Sequence, residues 1–265
     1  MLFALSRSVW AYRGFILGNV KREFQSKYRN SLLGAAWTVL NPVAMIFVYT
    51  VIFSQVMRAK LPGVDSTFGY SIFLCGGVLL WGYFSEIVGR AQNVFIENAN
   101  LLKKISFPRL CLPVVIVANA TLNFAIIFSL FTLFLLVSGN FPGLAYVAII
   151  PVLVIMVTFA IGLGITLGVL NVFFRDVGQL FGIVLQFWFW LTPIVYHINI
   201  LPERVQPYLT LNPMVGIVVA IQNILLNNQW PQWQSLIGVM VLAVFFCVLG
   251  LRLFRKHAGE MVDEL

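Results

Sequence analysis

The chain has 265 residues, of which 60% are hydrophobic and 10% charged, with a formal net charge of +8 and a mean hydropathy of +0.94. A soluble domain carries about 25% charged residues, so these values exclude an ordinary water-soluble protein and indicate a polytopic membrane protein. Apolar runs fill the whole length without a long polar insert, which predicts a single membrane domain over 1–265.

The first residues read MLFALSRSVWAYRGF. Arg7 and Arg13 interrupt the stretch that a signal peptide keeps apolar, so this segment is expected to be retained. Over 8–28, Val9, Tyr12, Ile16, Val20 and Phe24 recur at helical spacing while Lys21, Arg22 and Lys27 fall off that stripe. The pattern predicts an amphipathic interfacial helix on the inner leaflet. Lys21, Arg22, Lys27 and Arg29 are candidate contacts for lipid head groups or a diphosphate, although retention of positive charge on the inner side explains much of the same pattern.

Six runs approach the ~20 apolar residues that a bilayer core of ~30 Å requires of a helix: 32–56, 68–90, 110–138, 146–172, 178–197 and 234–254. The run NPMVGIVVAIQNILL, 212–226, has 15 residues and is short for a crossing. With six spans, fourteen of the seventeen Lys and Arg fall on one side, which makes both termini cytoplasmic. Residues 198–230 are then re-entrant or interfacial at the outer face, where irregular backbone is tolerated only against protein or water. Trp230, Trp233 and Tyr208 suit an outer aromatic belt.

Charged residues inside spans usually mark ion or proton pathways, and spans 1, 3, 4 and 5 contain none. Glu86 lies four residues before Arg90, the spacing of a local ion pair on one helix face. His197 and His257 belong to opposite faces, Asp176 adjoins Arg175, and no paired-acid or Ser/His arrangement supports an embedded enzyme. No phosphate-binding G-x-x-x-x-G-K-[ST] motif occurs, so no cofactor is expected in this chain, and ATP and Mg would be bound by a partner. Cys75, Cys111 and Cys247 lack the paired spacing of a disulfide framework or metal site and read as small core residues.

Some residues point to close contacts. Ala160, Gly164 and Gly168 are four apart, the spacing that lets helices approach in lipid, within the chain or across a dimer. In LQFWFWLTPIVY, 185–196, a continuous helix would bring Gln186, Phe189, Pro193 and Tyr196 into an arc of roughly 80°. Trp37 and Asn41 similarly share a face of span 1. Rings with polar edges suit a surface that guides a hydroxyl-rich solute, which makes Trp37, Asn41, Gln186, Phe189 and Tyr196 candidate conduit-lining residues; ordinary core or lipid-facing aromatics are the alternative. Between spans 2 and 3, ENANLLKKISFPRLCLP, 97–113, puts Glu97, Asn100 and Lys104 on one helix face and Leu101, Leu102 and Ile105 on another. A short amphipathic rod of this kind, ended by Pro108, would seat its apolar face in a partner's groove.

Four patterns occur in order: SKYRNSLLGAAWTVLNP (26–42), NANLLKKISFPRLCLP (98–113), NVFFRDVGQL (171–180), and TPIVY with LNP (192–196 and 211–213). Together they resemble the permease subunit of type-2 ATP-binding-cassette polysaccharide exporters, the group serving O-antigen, capsule and teichoic acid. The resemblance implies an all-α fold with six transmembrane helices, an N-terminal amphipathic helix, a cytoplasmic coupling helix and outer re-entrant helices. It implies a homodimer in the bacterial inner membrane, two copies of a separate P-loop ATPase, and a polyprenyl-diphosphate-linked polysaccharide as cargo. Carried onto this chain, the coupling helix is about 95–106, with Glu97, Asn100, Leu101, Leu102, Lys103, Lys104 and Ile105 meeting the ATPase. A membrane-embedded enzyme of glycan synthesis and a secondary transporter or channel are the competing readings.

Overall fold

The computed structural model describes residues 10–27, 36–52, 68–104 and 109–264. Among them, every regular element is helical: α1 (Arg13–Lys27), α2 (Trp37–Thr50), α3 (Gly69–Ala91), α4 (Val94–Glu97), α5 (Ala99–Lys104), α6 (Cys111–Val137), α7 (Ile149–Phe173), α8 (Asp176–Trp190), α9 (Gln206–Leu209), α10 (Pro213–Asn227), α11 (Trp233–His257) and α12 (Glu260–Glu264). A 3-10 turn over Gly143–Ala148 leads into α7.

Among the described residues, four helices are long and apolar enough to cross a membrane: α3 with 23 residues, α6 with 27, α7 with its leading turn at 31, and α11 with 25. At 1.5 Å per residue the shortest of them runs about 35 Å, more than a hydrocarbon core of ~30 Å. The first and fifth expected spans are shorter as described. α2 has 14 residues, with 32–35 and 53–56 outside the described residues, and α8 has 15. α8 starts near the expected position but stops at Trp190, whereas the apolar run continues to 197. Thr192 turns its hydroxyl back to the Trp188 carbonyl at 2.8 Å, and Pro193 has no amide to continue the helical ladder. Pro193 and Tyr196 therefore leave the helix, and the expected four-residue arc on span 5 does not form.

α3 is the axle of the bundle. Of its apolar window 72% is buried, against 22% for α6 and for α11. Phe84, Ile87 and Val88 are fully enclosed, and α6, α7, α8, α10 and α2 all pack on α3. α11 lies along α7 in the most extensive helix pair among the described residues. The absence of side chains at Gly162 and Gly250 permits this crossing: a Cβ on Gly162 would stand 2.6 Å from the Cys247 amide nitrogen, and one on Gly250 would stand 2.9 Å from Thr166 Oγ1. Thr166 closes the seam by donating to the Gly162 carbonyl at 2.9 Å and to the Phe246 carbonyl at 3.3 Å.

The stripe Ala160, Gly164 and Gly168 also works within the chain. A Cβ on Gly164 would lie 2.5 Å from Ala91 Cβ, and one on Gly168 would lie 2.7 Å from the Ala91 carbonyl oxygen. α7 is thus pressed between α11 on one side and the end of α3 on the other, as expected of small residues that let helices approach in lipid.

α2 and α8 present uncovered apolar faces. On α2, Leu40, Val43 and Phe47 are exposed, and on α8, Leu180, Ile183, Phe187 and Trp190 are exposed. No residue of α8 is fully buried. α10 is the opposite case: Met214, Ile217, Val218, Ile221 and Ile224 are enclosed against α3, α7 and α11.

Candidate functional site

Arg90, Arg109, Arg255 and Lys256 gather at one end of the bundle, where α3, α7 and α11 finish and α6 begins. Within the expected single rod over 95–106, the described residues to 104 belong to two short helices. α4 ends at Glu97, Asn98 leaves helical geometry at φ −105 and ψ 20, and α5 begins at Ala99. This break removes the continuous register that would align Glu97, Asn100 and Lys104. Glu97, Asn100 and Lys103 are exposed, Leu101 is half-buried and Leu102 is buried. Leu102 does not wait for a partner's groove: it belongs to a core with Phe95, Leu112, Phe254 and Met261. α12 packs on α5 and α7, and Arg109 donates to the Ala258 carbonyl. The helix α12 therefore covers the apolar side of α5 around Leu102, and Glu97, Asn100 and Lys103 stay outward. Ile105 and Arg29 lie outside the described residues, as do the side chains of Lys27 and Lys104.

A charged cluster ties α1 to this end. Arg90 Nη2 meets Glu23 Oε1 at 2.6 Å and Nη1 meets Glu86 Oε1 at 3.5 Å. The expected Glu86–Arg90 pair is present, but the closer partner is Glu23, 67 positions away in sequence. Two asparagines from α6 complete the cluster, Asn123 donating to Glu86 at 3.0 Å and Asn119 donating to Glu23. Ile16 of α1 is buried against Cys111 and Val115 of α6. α1 is thus docked on protein along part of its apolar stripe, and its Lys21 and Arg22 stay exposed. Arg22 lines a cavity of about 280 Å³ together with Glu23, Arg90 and Glu97, so charges of both signs face that space.

A third polar group lies at the junction between α3 and α4. Asn171 at the end of α7 donates to the Gln92 carbonyl at 2.9 Å and to Asn93 Oδ1 at 3.0 Å. Its own carbonyl accepts the Gly178 amide proton at 2.9 Å.

At the other end of the bundle, TPIVY and LNP form one unit. Asn212 caps α10 by accepting the Met214 amide at 3.0 Å, a preferred cap because the first helical amides have no intrahelical partner. The same oxygen accepts Trp188 Nε1–H at 2.7 Å, and Asn212 Nδ2 donates to Leu191 O at 3.2 Å and Thr192 Oγ1 at 3.0 Å. Gln222 of α10 donates to the Pro193 carbonyl at 3.1 Å, and Tyr70 of α3 donates to the Val195 carbonyl at 2.6 Å. The chain thus leaves α8 through a hydrogen-bonded bend held by α3 and α10.

The aromatics of α8 split between two faces. Trp188 packs edge-on against Phe84 at 5.4 Å and Trp81 at 6.0 Å, and Phe189 meets Trp81 at 5.9 Å. Gln186 is exposed on the other side. Tyr196 is half-buried and donates to the Trp190 carbonyl at 3.0 Å. The structure therefore does not bring Gln186, Phe189 and Tyr196 onto one stripe. Trp37 and Asn41 are both exposed, one turn apart on α2.

These links make a prediction. Asn212→Ala removes the α10 cap and the bond to Trp188, and is expected to cost about 1–2 kcal/mol, the upper range for a lost cap. Asn212→Asp keeps the acceptor for the Met214 amide and the Trp188 indole N–H and loses only the two donated bonds, so its melting temperature should fall between the parent and Asn212→Ala. Equal melting temperatures for all three proteins would contradict the role given to this bend.

With these arrangements in view, sequence comparison decides the family. The profile described as ABC-2 type transporter matches residues 16–226. The chain belongs to the ABC-2 type transporter family. It is 29% identical over 266 residues to the O-antigen export system permease protein RfbA of Myxococcus xanthus, covering 100% of both chains. It is 30% identical over 245 residues to the protein of the same name in Klebsiella pneumoniae, covering 92% of each. Similarity extends to the polysialic acid transport protein KpsM of Escherichia coli, at 21% over 248 residues and 92% of this chain and 93% of that one. The ABC-2 match runs from within α1 through nearly all of α10, and thus takes in the charged cluster, the two short helices, Asn171 and the Asn212 bend.

Proposed function

We propose that this chain is the membrane-spanning subunit of an ATP-driven exporter that carries a lipid-linked, O-antigen-like polysaccharide outward across the bacterial inner membrane. The observation that carries this reading is end-to-end similarity to an O-antigen export permease, 29% over the full length of both chains. Its own sequence has no phosphate-binding loop, so ATP and Mg are assigned to a separate P-loop ATPase.

In this reading two copies of the chain work with two ATPase subunits. The uncovered apolar faces of α2 and α8 support a second copy, since such faces in a membrane helix meet lipid or another helix. Both termini are cytoplasmic, α2 and α8 complete six crossings, and 198–230 is the outer re-entrant region. The outward polar side of α4 and α5, with Glu97, Asn100 and Lys103, receives the ATPase while Leu102 stays locked in the chain's own core. Trp37, Asn41 and Gln186 are exposed where α2 and α8 would face a shared conduit, with Phe189 and Tyr196 behind them. Lys21 and Arg22 on the open side of α1 are available to anionic head groups.

The test is genetic and biochemical together. Gentle solubilisation and affinity purification should recover a P-loop ATPase with this chain, and its deletion should leave lipid-linked glycan on the cytoplasmic side. Recovery of the chain alone, with unchanged surface glycan in the deletion strain, would contradict the reading.

A further inference from the structure

We propose that Asn171 is a positioning residue that makes α8 follow the coupling segment, by fastening the first turn of α8 to the residues that lead into α4. The inference rests on the transport reading above and assigns one step of it to a named side chain.

The geometry calls for a carboxamide at this position. A side-chain amide offers two N–H donors and a carbonyl acceptor, and Asn171 uses both functions. Its nitrogen serves Gln92 O and Asn93 Oδ1, and its oxygen serves the Gly178 amide. Gln92 reinforces the link by donating from Nε2 to the Gly178 carbonyl at 3.4 Å. Asn171 is 2% exposed, so water does not take over these bonds when the side chain is removed. Gly178 lies in the first turn of α8, where amide protons have no partner in the helix. A Cβ there would stand 2.8 Å from Asn171 Oδ1, so the contact needs a glycine.

Gln92 and Asn93 are the two residues between α3 and α4. They are the junction by which α4 is joined to α3. α7 is already locked to the same place, because Gly164 and Gly168 press on Ala91 and Phe95 sits in the shared core with Val169 and Val172. α8 has no fully buried residue of its own. Its hydrogen-bonded anchors lie near its two ends, Asn171 at Gly178 and the Trp188–Asn212 bond at 2.7 Å, while Phe181, Leu185, Trp188 and Phe189 rest partly buried on the core. About 15 Å of helix separates those anchors at 1.5 Å per residue. A rod pinned in this way tilts about the far pin when the near one moves. Asn171 thus converts motion of the coupling segment into tilt of the helix carrying Gln186, Phe187 and Trp190.

The test uses the complex with its ATPase in proteoliposomes loaded with lipid-linked polysaccharide, and reads polymer moved per ATP hydrolysed. Asn171→Ala and Gly178→Ala should lower that ratio about tenfold, equivalent to 1.4 kcal/mol of lost coupling, while hydrolysis itself is retained. If Asn171→Ala fails to assemble, the isosteric Asn171→Asp keeps the acceptor, discards the donors and should show the same uncoupling. A wild-type ratio in these variants, or a parallel fall of hydrolysis and export together with melting temperature, would reduce Asn171 to a packing residue. Wild-type complex that hydrolyses ATP without moving polymer would remove the transport reading itself, and this inference with it.

Discussion

Gly162→Leu is expected to prevent α7 and α11 from packing, with a cost at or above the ~3 kcal/mol upper end of ordinary overpacking. The site offers no flexible neighbour to yield. The first three atoms that a Cβ would meet are the Cys247 amide nitrogen at 2.6 Å, Cys247 Sγ at 2.9 Å and the Phe246 carbonyl carbon at 2.9 Å. Two of the three are backbone, so the helices themselves must separate. Separation would also break the bridge from Thr166 to the Phe246 carbonyl. Gly238 provides the control on the same helix pair: nothing lies within 4 Å of a Cβ built there, so Gly238→Leu should melt with the parent. Thermal unfolding of the solubilised proteins checks both. Gly162→Leu melting at the parent temperature would mean that the close crossing does not exist.

Arg90→Glu should give the second large effect, because it leaves three carboxylates where one cation served two. Like charges at 4 Å repel by about 1 kcal/mol in water and about 4 kcal/mol at the effective dielectric near a protein surface. Arg90 and Glu23 are about one-third and two-fifths exposed, so values nearer the lower end apply. The functional consequence is larger than the energetic one, since the pair joins α1 to α3 and, through Asn119 and Asn123, to α6. Loss of export is expected with normal membrane insertion. Exchanging the two charges, in Glu23→Arg combined with Arg90→Glu, should recover part of it; Glu86 would then oppose the new carboxylate one turn away and keep the recovery incomplete. Export equal in the single and double variants would show that the Glu23–Arg90 contact does not join these helices in the working protein.

Much of the fold was legible because membrane solvation imposes simple rules. All four long helices fall where apolar length put them. The spacing of Ala160, Gly164 and Gly168 announced a close approach, although only the fold could say that Ala91 receives it. The i, i+4 spacing of Glu86 and Arg90 gave a true but secondary pair. Glu23 was hidden because its partner is distant in sequence, and local spacing carries no information about that. Periodicity misled in two places. It ran on through Thr192 and Pro193, where the backbone had left the helix, and it treated 95–106 as one rod across the break at Asn98. The burial of Leu102 under α12 was also beyond a local reading, because the short C-terminal helix around Met261 gives no apolar run. Asn171 and Asn212 were inside quoted motifs without an assigned role, since an asparagine shows its use only once its partners are positioned around it.

The most direct test is transport by the reconstituted complex. Proteoliposomes holding this chain and the copurified ATPase, loaded with lipid-linked polysaccharide, should move polymer across the bilayer only when ATP is supplied and only when both proteins are present. Polymer movement by this chain alone without ATP, or glycan-modifying activity in place of movement, would contradict the assignment of an export permease.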